Sequence, residues 1–401
     1  MIAKTPTSPT EVLFGYYGRK PPVQCLARLK TEETLVSGNF HRDMILVGLL
    51  RHEAEKDGSD VDADGNHGAS LLNWLYLSSS VNPLPPHYRC PNCKKIIFFT
   101  EGDGWDLPPQ ECCGMPMIRD GHNIPIEVMQ QRLKDPNWEL SISIAGSFKD
   151  KAIEIIERHY KREFVLAPVV TEDSELITDK YVLIPNDEDM DILDEYGIWH
   201  TDSEEIYRSG YRVFRLRCDE IKEQIRDYRV NTGLDPTIDD LLTEPVLAAT
   251  QAKLTAEIVE AGGMPLRTDS LSFSTLLRTV GYLKSEQTEA NPVCENREAS
   301  YSDVFSCREE VWDLLCGAIK PEYKISMEFV KRVAHFTRMG CYTRNRMDQD
   351  TEQVLRELGI SDHWITQMKE TRYLPGKSDL INYLLDRMLL TWFELQEGEE
   401  L

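Results

Sequence analysis

Four cysteines between residues 90 and 113 have the spacing of a metal-binding site. Cys90 and Cys93 form a C-x-x-C pair, and Cys112 and Cys113 follow about twenty residues later. Two cysteine pairs at such a separation are typical of structural Zn²⁺, which takes four thiolate or imidazole ligands in a tetrahedron. The four thiols are therefore the predicted metal ligands. The metal would be structural, because nothing indicates an open coordination position.

The second cysteine pair departs from the usual pattern. Cys112 and Cys113 are adjacent, and neighbouring side chains in extended chain point to opposite faces. Both thiols would then reach one ion only through a strained backbone, so His87 or His122 could replace one of them as a ligand. The alternative is a knuckle that folds without metal.

A second group of residues indicates nucleic-acid binding. The segment 331–346, KRVAHFTRMGCYTRNR, interleaves cations with the rings of Phe336 and Tyr342. Basic residues with stacking rings suit a single strand. The cations are Lys331, Arg332, Arg338, Arg344 and Arg346. The alternative is a solvated helix face followed by a loop.

The overall composition limits these hypotheses. Lys and Arg number 45 against 68 Asp and Glu in 401 residues, which gives a net charge of −23. Proteins that hold nucleic acid by its phosphates normally present a basic face, so any DNA contact should be weak. The acid either keeps the protein soluble or meets a basic partner. We expect a cytoplasmic protein, because the first residues lack the layout of a signal peptide and no apolar run approaches the ~20 residues of a membrane span.

The elements that must position these residues change character along the chain. The segments WELSISIAG, KYVLIP and YRVFRLR have the composition and alternation of strands, and KDKAIEIIERHYKREF is an amphipathic helix. From Asp239 onward, apolar residues recur at three- and four-residue spacing almost to the end. The sequence therefore predicts an α/β region followed by an all-α region.

Several of these motifs together resemble one family. VNPLPPHYRCPNCKKIIFF and then GWDLPPQECCGMPMIRDGHNIPIE resemble the zinc knuckle of PolC, the C-family replicative DNA polymerase. That family reads much like NPLPPHYxCPxCKxxEFF and then GFDLPxxxCPxCGxPLxxDGxDIPFE. The resemblance extends over roughly residues 15–395. It implies a polymerase palm of the nucleotidyltransferase type with an inserted Cys knuckle, followed by a helical fingers domain.

The resemblance also implies domain boundaries. They are 1–86 for a helical lead and the first part of the palm, 87–125 for the zinc-ribbon-like knuckle, 126–245 for the rest of the palm, and 246–401 for the fingers. The long family segment that contains the thumb is reduced here to VLAPVVTEDSELITD. Because the thumb grips the primer–template duplex, its loss should also weaken DNA binding.

The catalytic carboxylates of the family are not retained. The family holds two Mg²⁺ ions with two carboxylates from a PDIDLNF strand and a third from LKLDILG. The resemblance places Asn137 and Glu139 at the first two positions and Arg217 at the third, with Asp219 two residues further on. Arg217 would place a positive charge where the family has a metal-binding carboxylate, and this charge would disfavour Mg²⁺ binding. The alternative is a rebuilt metal site from Glu139, Asp219 and Asp135.

The phosphate-binding loop of the family, GSRGSVGSS, is also altered. The matching stretch DADGNHGAS keeps Gly65, Gly68 and Ser70, but it has Asp64 at the position of the Arg and Asp62 at the position of a Gly. Two carboxylates that face a triphosphate would repel it. The His-Gly-Thr-Asp run of the family's fingers is absent as well.

The sequence therefore predicts a catalytically inactive PolC-like protein that acts by binding or as a scaffold. We expect a role linked to DNA replication, a mobile element or a defence system, with structural zinc and no magnesium. The partner would be a protein, either a replisome component or the product of a neighbouring gene. The alternatives are a residual Mg²⁺-dependent DNA polymerase or nucleotidyltransferase, and a module that binds single-stranded nucleic acid.

Overall fold

The computed structural model describes residues 8–36, 38–63, 68–128, 139–160, 164–171, 179–185, 192–201, 203–268, 270–287, 299–319 and 325–399. The chain forms two compact units. The first unit comprises Met1–Asn82 and Gln130–Asp235, and the second comprises Pro83–Met129 and Pro236–Leu401.

Helices are the commonest element. They are α1 Pro9–Tyr17, α2 Val23–Leu35, α3 Gly38–Glu55, α4 Leu71–Leu75, α5 Lys149–Tyr160, α6 Ser203–Ser209, α7 Glu220–Thr232, α8 Ile238–Leu241, α9 Glu244–Glu260, α10 Phe273–Lys284, α11 Arg308–Ala318, α12 Met327–Arg338, α13 Cys341–Asn345, α14 Gln349–Glu357, α15 Asp362–Glu370 and α16 Lys377–Glu399.

Strands occur mainly in the first two thirds of the chain. They are β1 Val61–Ala63, β2 His87–Arg89, β3 Ile96–Phe98, β4 Glu111–Cys112, β5 Met115–Pro116, β6 Ile118–Asp120, β7 Leu140–Ile144, β8 Phe164–Thr171, β9 Lys180–Pro185, β10 Trp199–Thr201, β11 Arg212–Cys218, β12 Glu286–Gln287 and β13 Thr371–Tyr373.

A six-stranded mixed sheet forms the centre of the first unit. Its order is β1-β7-β11-β9-β8-β10. Strands β7 and β11 run parallel, β1 is antiparallel to β7, and β9 is antiparallel to both β11 and β8. Helix α5 covers one face of the sheet. Tyr160 at the end of α5 packs on Phe214 of β11, with the two ring centroids 5.7 Å apart. The next residue, Arg215, therefore points to the opposite face.

That opposite face is apolar at one end and polar at the other. Val182, Trp199, Ile206 and Val213 are part of a buried cluster at the apolar end. Two residues beyond Val213, the register pairs Arg215 with Ser141 on one side and Lys180 on the other. Of the positions at which the family's carboxylates were expected, Arg217 therefore lies on this sheet face, and Glu139 directly precedes the strand β7 that borders it.

The second unit combines a small β knuckle with helices. Strands β3-β2-β6 form one sheet and β4-β5 a two-residue hairpin. Helices α11 to α15 surround a buried apolar cluster that includes Val311, Leu315, Val330, Val333 and Met368. Within the described residues, no helix combines the length and the apolar character that a membrane span needs.

The mixed α/β prediction is confirmed. The predicted strand segments contain β7, β9 and all of β11 except Cys218, and the predicted amphipathic helix contains α5. No strand was predicted at β1 or β10. Strand β8 occupies part of VLAPVVTEDSELITD, to which no strand was assigned. Among the described residues after Asp239, the regular elements are helices apart from the short strands β12 and β13.

Candidate functional site

The four predicted cysteine ligands lie together in the second unit. Their sulfur atoms are all within 4.8 Å of one another. Cys93 Sγ lies 3.6 Å from Cys112 Sγ, and Cys112 Sγ lies 3.8 Å from Cys113 Sγ. Four thiolates around Zn²⁺ at ~2.3 Å would be separated by about 3.8 Å. The cysteines described in the structure form no disulfide, so these thiols are available to hold a metal.

A tight turn explains how two adjacent cysteines face the same centre. Cys113 and Gly114 connect β4 to β5 and have φ of 57° and 71°. Positive φ at both central residues is the conformation of a type I′ hairpin turn. The expectation of extended chain at this pair is therefore wrong, because Cys113 lies in the turn and its sulfur reaches the group. The dipeptide Cys113-Gly114 could have indicated this turn from the sequence, because Gly readily adopts positive φ.

Backbone groups also act on the first cysteine pair. The N–H of Cys93 donates to Cys90 Sγ at 3.4 Å, and this bond lowers the pKa of Cys90 to about 7. The hydrogen bond from Cys93 raises the pKa of the Cys112 thiol. Metal binding requires thiolates. Cys90 therefore ionises more readily than an ordinary thiol, whereas Cys112 holds its proton more tightly and must release it to solvent when the ion binds.

The two candidate histidines have other partners. His87 Nδ1 lies 2.8 Å from the carbonyl of Pro85. His122 Nδ1 lies 3.0 Å from both carboxylate oxygens of Asp103. Neither residue belongs to the group of four thiols, so the structure brings together the cysteines without a histidine.

An arginine contacts Glu139, one of the two predicted metal-binding carboxylates that the structure describes. Glu139 directly precedes β7, and its Oε1 lies 3.1 Å from Arg215 Nε. Asp179 Oδ2 lies 3.5 Å from the same nitrogen. The guanidinium of Arg215 therefore lies close to two carboxylates and neutralises part of their charge. Asn137 and Asp135 fall outside the described residues.

Arg217, the residue singled out from the sequence, lies elsewhere on the same strand. Its Cα is paired with Ser143, whereas Glu139 precedes Leu140, which is paired with Phe214. Ser143, the partner of Arg217, is four residues after Glu139. At ~3.3 Å per residue, Arg217 is therefore about 13 Å from Glu139 along the strand direction. Sequence reasoning missed Arg215, which has the same parity on the strand and is the cation that contacts Glu139.

Asp219, the proposed substitute ligand, has a structural role. It is the N-cap of α7, and its Oδ1 accepts from the N–H of Ile221 at 2.8 Å. A carboxylate used as an N-cap stabilises the first turn of a helix. The structure therefore does not bring Glu139 and Asp219 together as metal ligands.

A carboxylate of the protein itself lies at the end of the stretch that resembles the family's phosphate loop. The N–H groups of Leu71 and Leu72 donate to Glu32 at 3.0 and 2.9 Å, and the hydroxyl of Ser70 donates to it at 2.6 Å. Glu32 is fully buried and also accepts from Arg28. The donors at the start of α4 are therefore already used. Gly68 accepts from the hydroxyl of Ser79, while Asp64 and Gly65 fall outside the described residues.

Asp62 forms a buried ion pair with a lysine. Its Oδ2 is 2.6 Å from Lys222 Nζ, and both residues are buried. Burial raises the pKa of Asp62, but the charges of Lys222 and Arg51 outweigh that effect and lower it. The repulsion predicted for Asp62 remains a prediction; in the structure the charge of this ionised carboxylate is balanced by Lys222.

The basic segment occupies α12, α13 and the turn between them. Arg344 donates to the carbonyls of Gly340 and Met339, and Tyr342 is buried. Arg332 and Arg346 are exposed, whereas Lys331 and Arg338 are partly buried. The five predicted cations therefore have different roles and do not form one uniform surface.

Comparison with known proteins connects these sites to one group of enzymes. No model of a known protein family matches the chain. The chain is 23% identical to "DNA polymerase III PolC-type" of Ureaplasma parvum serovar 3 in an alignment that is 461 positions long with its gaps. The alignment covers 94% of this chain and 31% of the relative. This chain is a relative of PolC-type DNA polymerase III. The protein of the same name from Thermotoga petrophila is 22% identical over 95% of this chain and 33% of its own length.

A shorter alignment of this PolC relative is stronger. The PolC-type protein of Pediococcus pentosaceus is 37% identical over 139 residues, which are 33% of this chain and 10% of that protein. The predicted resemblance to PolC, which was based on the knuckle and its flanking motifs, is thus confirmed. Almost the whole of this chain aligns with the PolC proteins of Ureaplasma parvum and Thermotoga petrophila. The chain spans only about a third of the length of these relatives.

Proposed function

We propose that this PolC relative does not add nucleotides to DNA and acts by binding, in a role linked to DNA replication. The observation that carries the proposal is the guanidinium of Arg215 at 3.1 Å from Glu139. In two-metal catalysis, carboxylates hold ions that activate the primer hydroxyl and neutralise the triphosphate. Here a cationic side chain already lies beside the carboxylate that would hold such an ion.

Electrostatics make this arrangement unsuitable for Mg²⁺. A dication near Glu139 would be repelled by the positive charge of the guanidinium beside it. Mg²⁺ also needs several oxygen ligands at ~2.0–2.1 Å, and Asp219 is engaged at the start of α7. These contacts argue against the alternative of a residual polymerase or nucleotidyltransferase.

The phosphate loop supports the same proposal. Glu32 takes up the hydroxyl of Ser70 and the N–H groups of Leu71 and Leu72. Backbone N–H groups at a helix start are the usual cradle for phosphate. A nucleotide would have to displace a buried carboxylate that is also bonded to Arg28, so nucleotide binding at this point is unfavourable.

We assign the parts of the chain by their relationship to PolC. The sheet of the first unit corresponds to the palm, and the helices of the second unit within residues 246–401 correspond to the fingers. The knuckle of the second unit holds a structural zinc ion through Cys90, Cys93, Cys112 and Cys113, whose sulfur separations fit a tetrahedral ion. Bound there, zinc would join β2 and β3 to the β4–β5 hairpin.

The partner of such a protein is a further part of the proposal. A cytoplasmic replisome component, or the product of a neighbouring gene in a mobile element or defence system, would bind to a palm-and-fingers body that no longer performs chemistry. The net charge of −23 favours a partner with a basic surface, because complementary charge speeds encounter and selects the partner.

A primer-extension assay tests the catalytic part. The purified chain is incubated with primed DNA, the four dNTPs and Mg²⁺ or Mn²⁺, beside the Glu139→Ala variant. We expect no extension from either protein. Extension by the wild-type chain that disappears in Glu139→Ala would overturn the proposal and favour the residual polymerase.

A further inference from the structure

We infer that the cysteine knuckle is a redox-sensitive switch, in which a peroxide oxidises Cys93 and Cys112 to a disulfide and the knuckle gives up its zinc. The inference rests on the proposed zinc assignment of the same four thiols. It goes beyond that assignment, because it predicts a second, metal-free form of the knuckle and the reaction that produces it.

The four thiols differ in their access to solvent. Cys93 and Cys113 are exposed, Cys112 is partly buried, and Cys90 is fully buried. The C-x-x-C pair therefore has one protected member and one accessible member. Oxidants in solution react with the thiolates that they can reach, so within this pair the attack begins at Cys93.

The positions of the sulfur atoms select the disulfide partner of Cys93. Its Sγ lies 3.6 Å from Cys112 Sγ, although the two residues are 19 positions apart in the chain. Cys112 Sγ and Cys113 Sγ are also close, at 3.8 Å. However, the Cα atoms of adjacent residues are only ~3.8 Å apart, whereas a relaxed disulfide needs about 4.4–6.8 Å. The favoured bond therefore links Cys93 to Cys112.

The reaction consumes one hydrogen peroxide and two thiolates. The Cys93 thiolate attacks the peroxide, the O–O bond breaks, and a sulfenic acid and a hydroxide ion result. Cys112 Sγ then attacks the sulfenic sulfur, so that the S–S bond forms and a second hydroxide leaves. The two sulfur atoms together lose two electrons, which reduce the peroxide. Two of the four ligands are then used, and Cys90 and Cys113 alone do not complete a tetrahedral zinc site.

The second cysteine pair is the weaker half of the metal site. The N–H of Cys93 donates to Cys90 Sγ, whereas no backbone N–H in the described part of the chain donates to Cys112 Sγ or Cys113 Sγ. Hydrogen bonds to a thiolate stabilise its charge, so the thiolates of this pair stay more reactive. Cys113 also has a φ of 57°, a conformation that is unfavourable for a residue with a Cβ atom.

The disulfide would preserve the shape of the knuckle after the metal has left. Cys93 lies in the turn between β2 and β3, and Cys112 is the last residue of β4. A bond between them joins the same two parts of the knuckle that zinc would join. Reduction by a thiol regenerates both cysteines. The switch therefore alternates between two folded forms, and oxidation does not unfold the knuckle.

Zinc release and disulfide formation can be measured on the same sample. The reduced, zinc-containing chain is treated with hydrogen peroxide, free zinc is followed with a colorimetric indicator, and linked peptides are identified by tandem mass spectrometry. We expect one zinc ion to leave for each Cys93–Cys112 disulfide that forms. Dithiothreitol followed by added zinc should restore the starting state.

Three variants distinguish the switch from general oxidation. Cys93→Ser removes the accessible thiol and should form no link to Cys112. Cys113→Ser keeps both partners and should still form the disulfide. Cys218→Ser changes an exposed cysteine outside the group, so it should match the wild type in both measurements.

The outcomes separate the switch from the zinc assignment. A zinc-containing chain that forms no Cys93–Cys112 disulfide, or that loses zinc equally fast in Cys93→Ser, would overturn the switch and leave the zinc assignment in place. A reduced chain that contains no zinc when purified would refute the assignment itself, and the switch with it. The linked peptide is detected without a metal, so a failure to fold around zinc in Cys93→Ser does not obscure the result.

Discussion

Lys222 Nζ and Asp62 Oδ2 lie 2.6 Å apart inside the first unit, with the lysine side chain almost completely buried. The pair joins α7 to β1, and Asp62 is the first residue of the stretch that resembles the phosphate loop of PolC. A carboxylate at a position where the resemblance implies a glycine therefore lies in the folded interior of this protein.

Removal of one partner should destabilise the protein strongly. We expect Lys222→Met to lower the free energy of unfolding by about 3–5 kcal/mol, because Asp62 is then left as an unpaired buried charge. Denaturant unfolding followed by circular dichroism measures the effect. The double variant Asp62→Leu with Lys222→Met should recover most of the loss, since an apolar pair of similar volume can replace a buried ion pair.

The same pair sets a pH dependence. The pKa of Asp62 is lowered in the folded state, so its contribution to stability is present above the ordinary carboxylate pKa of about 3.9 and is lost as pH falls through the folded value. The destabilisation caused by Lys222→Met should therefore shrink below about pH 4. A destabilisation that stays constant down to acid denaturation would contradict this account.

Two arginines of β11 should differ in their effect on stability. Arg212 is buried against Asp43 on the face covered by α5, so Arg212→Ala is expected to cost about 3–5 kcal/mol. Arg215 and Glu139 are about one third exposed, so Arg215→Ala should change the free energy of unfolding by less than about 1 kcal/mol. Equal losses would mean that the Arg215–Glu139 pair is a structural requirement of the sheet.

The metal prediction concerns the knuckle. The purified chain should contain one zinc ion by elemental analysis, Cys113→Ser should contain less, and a chelator should lower the thermal midpoint. Zinc should also leave as pH falls, because protons compete for the thiolates. Cys218→Ser is the matched control, since Cys218 is an exposed cysteine outside the group. Equal zinc content in both variants would contradict the assignment of Cys113 as a ligand.

The sequence allowed prediction of those features that depend on local pattern. Strands β7, β9 and β11 and helix α5 follow from apolar composition and spacing within each segment. The approach of Arg215 to Glu139 could not be predicted in this way, because the register between β7 and β11 is set by parts of the chain far apart in sequence. The capping of α4 by Glu32 also joins distant residues, 38 to 40 positions apart.

The knuckle shows a limit of a different kind. Its four cysteines were predicted from spacing, but the conformation of Cys113 was not, because extended chain was assumed for an adjacent pair. The Cys-Gly turn between β4 and β5 has positive φ at both residues, and it brings the sulfur atoms of both cysteines into the group. Short turns that depend on a non-glycine residue at positive φ are seldom evident from composition.

The most direct test of the central claim is isothermal titration of dNTP into the purified chain in the presence of Mg²⁺. Glu139→Ala is the control, because it removes the carboxylate that would hold the metal. The account predicts absent or millimolar binding that is the same for both proteins. Micromolar binding that requires Mg²⁺ and disappears in Glu139→Ala would contradict it, and would mean that the site still binds nucleotide despite Arg215.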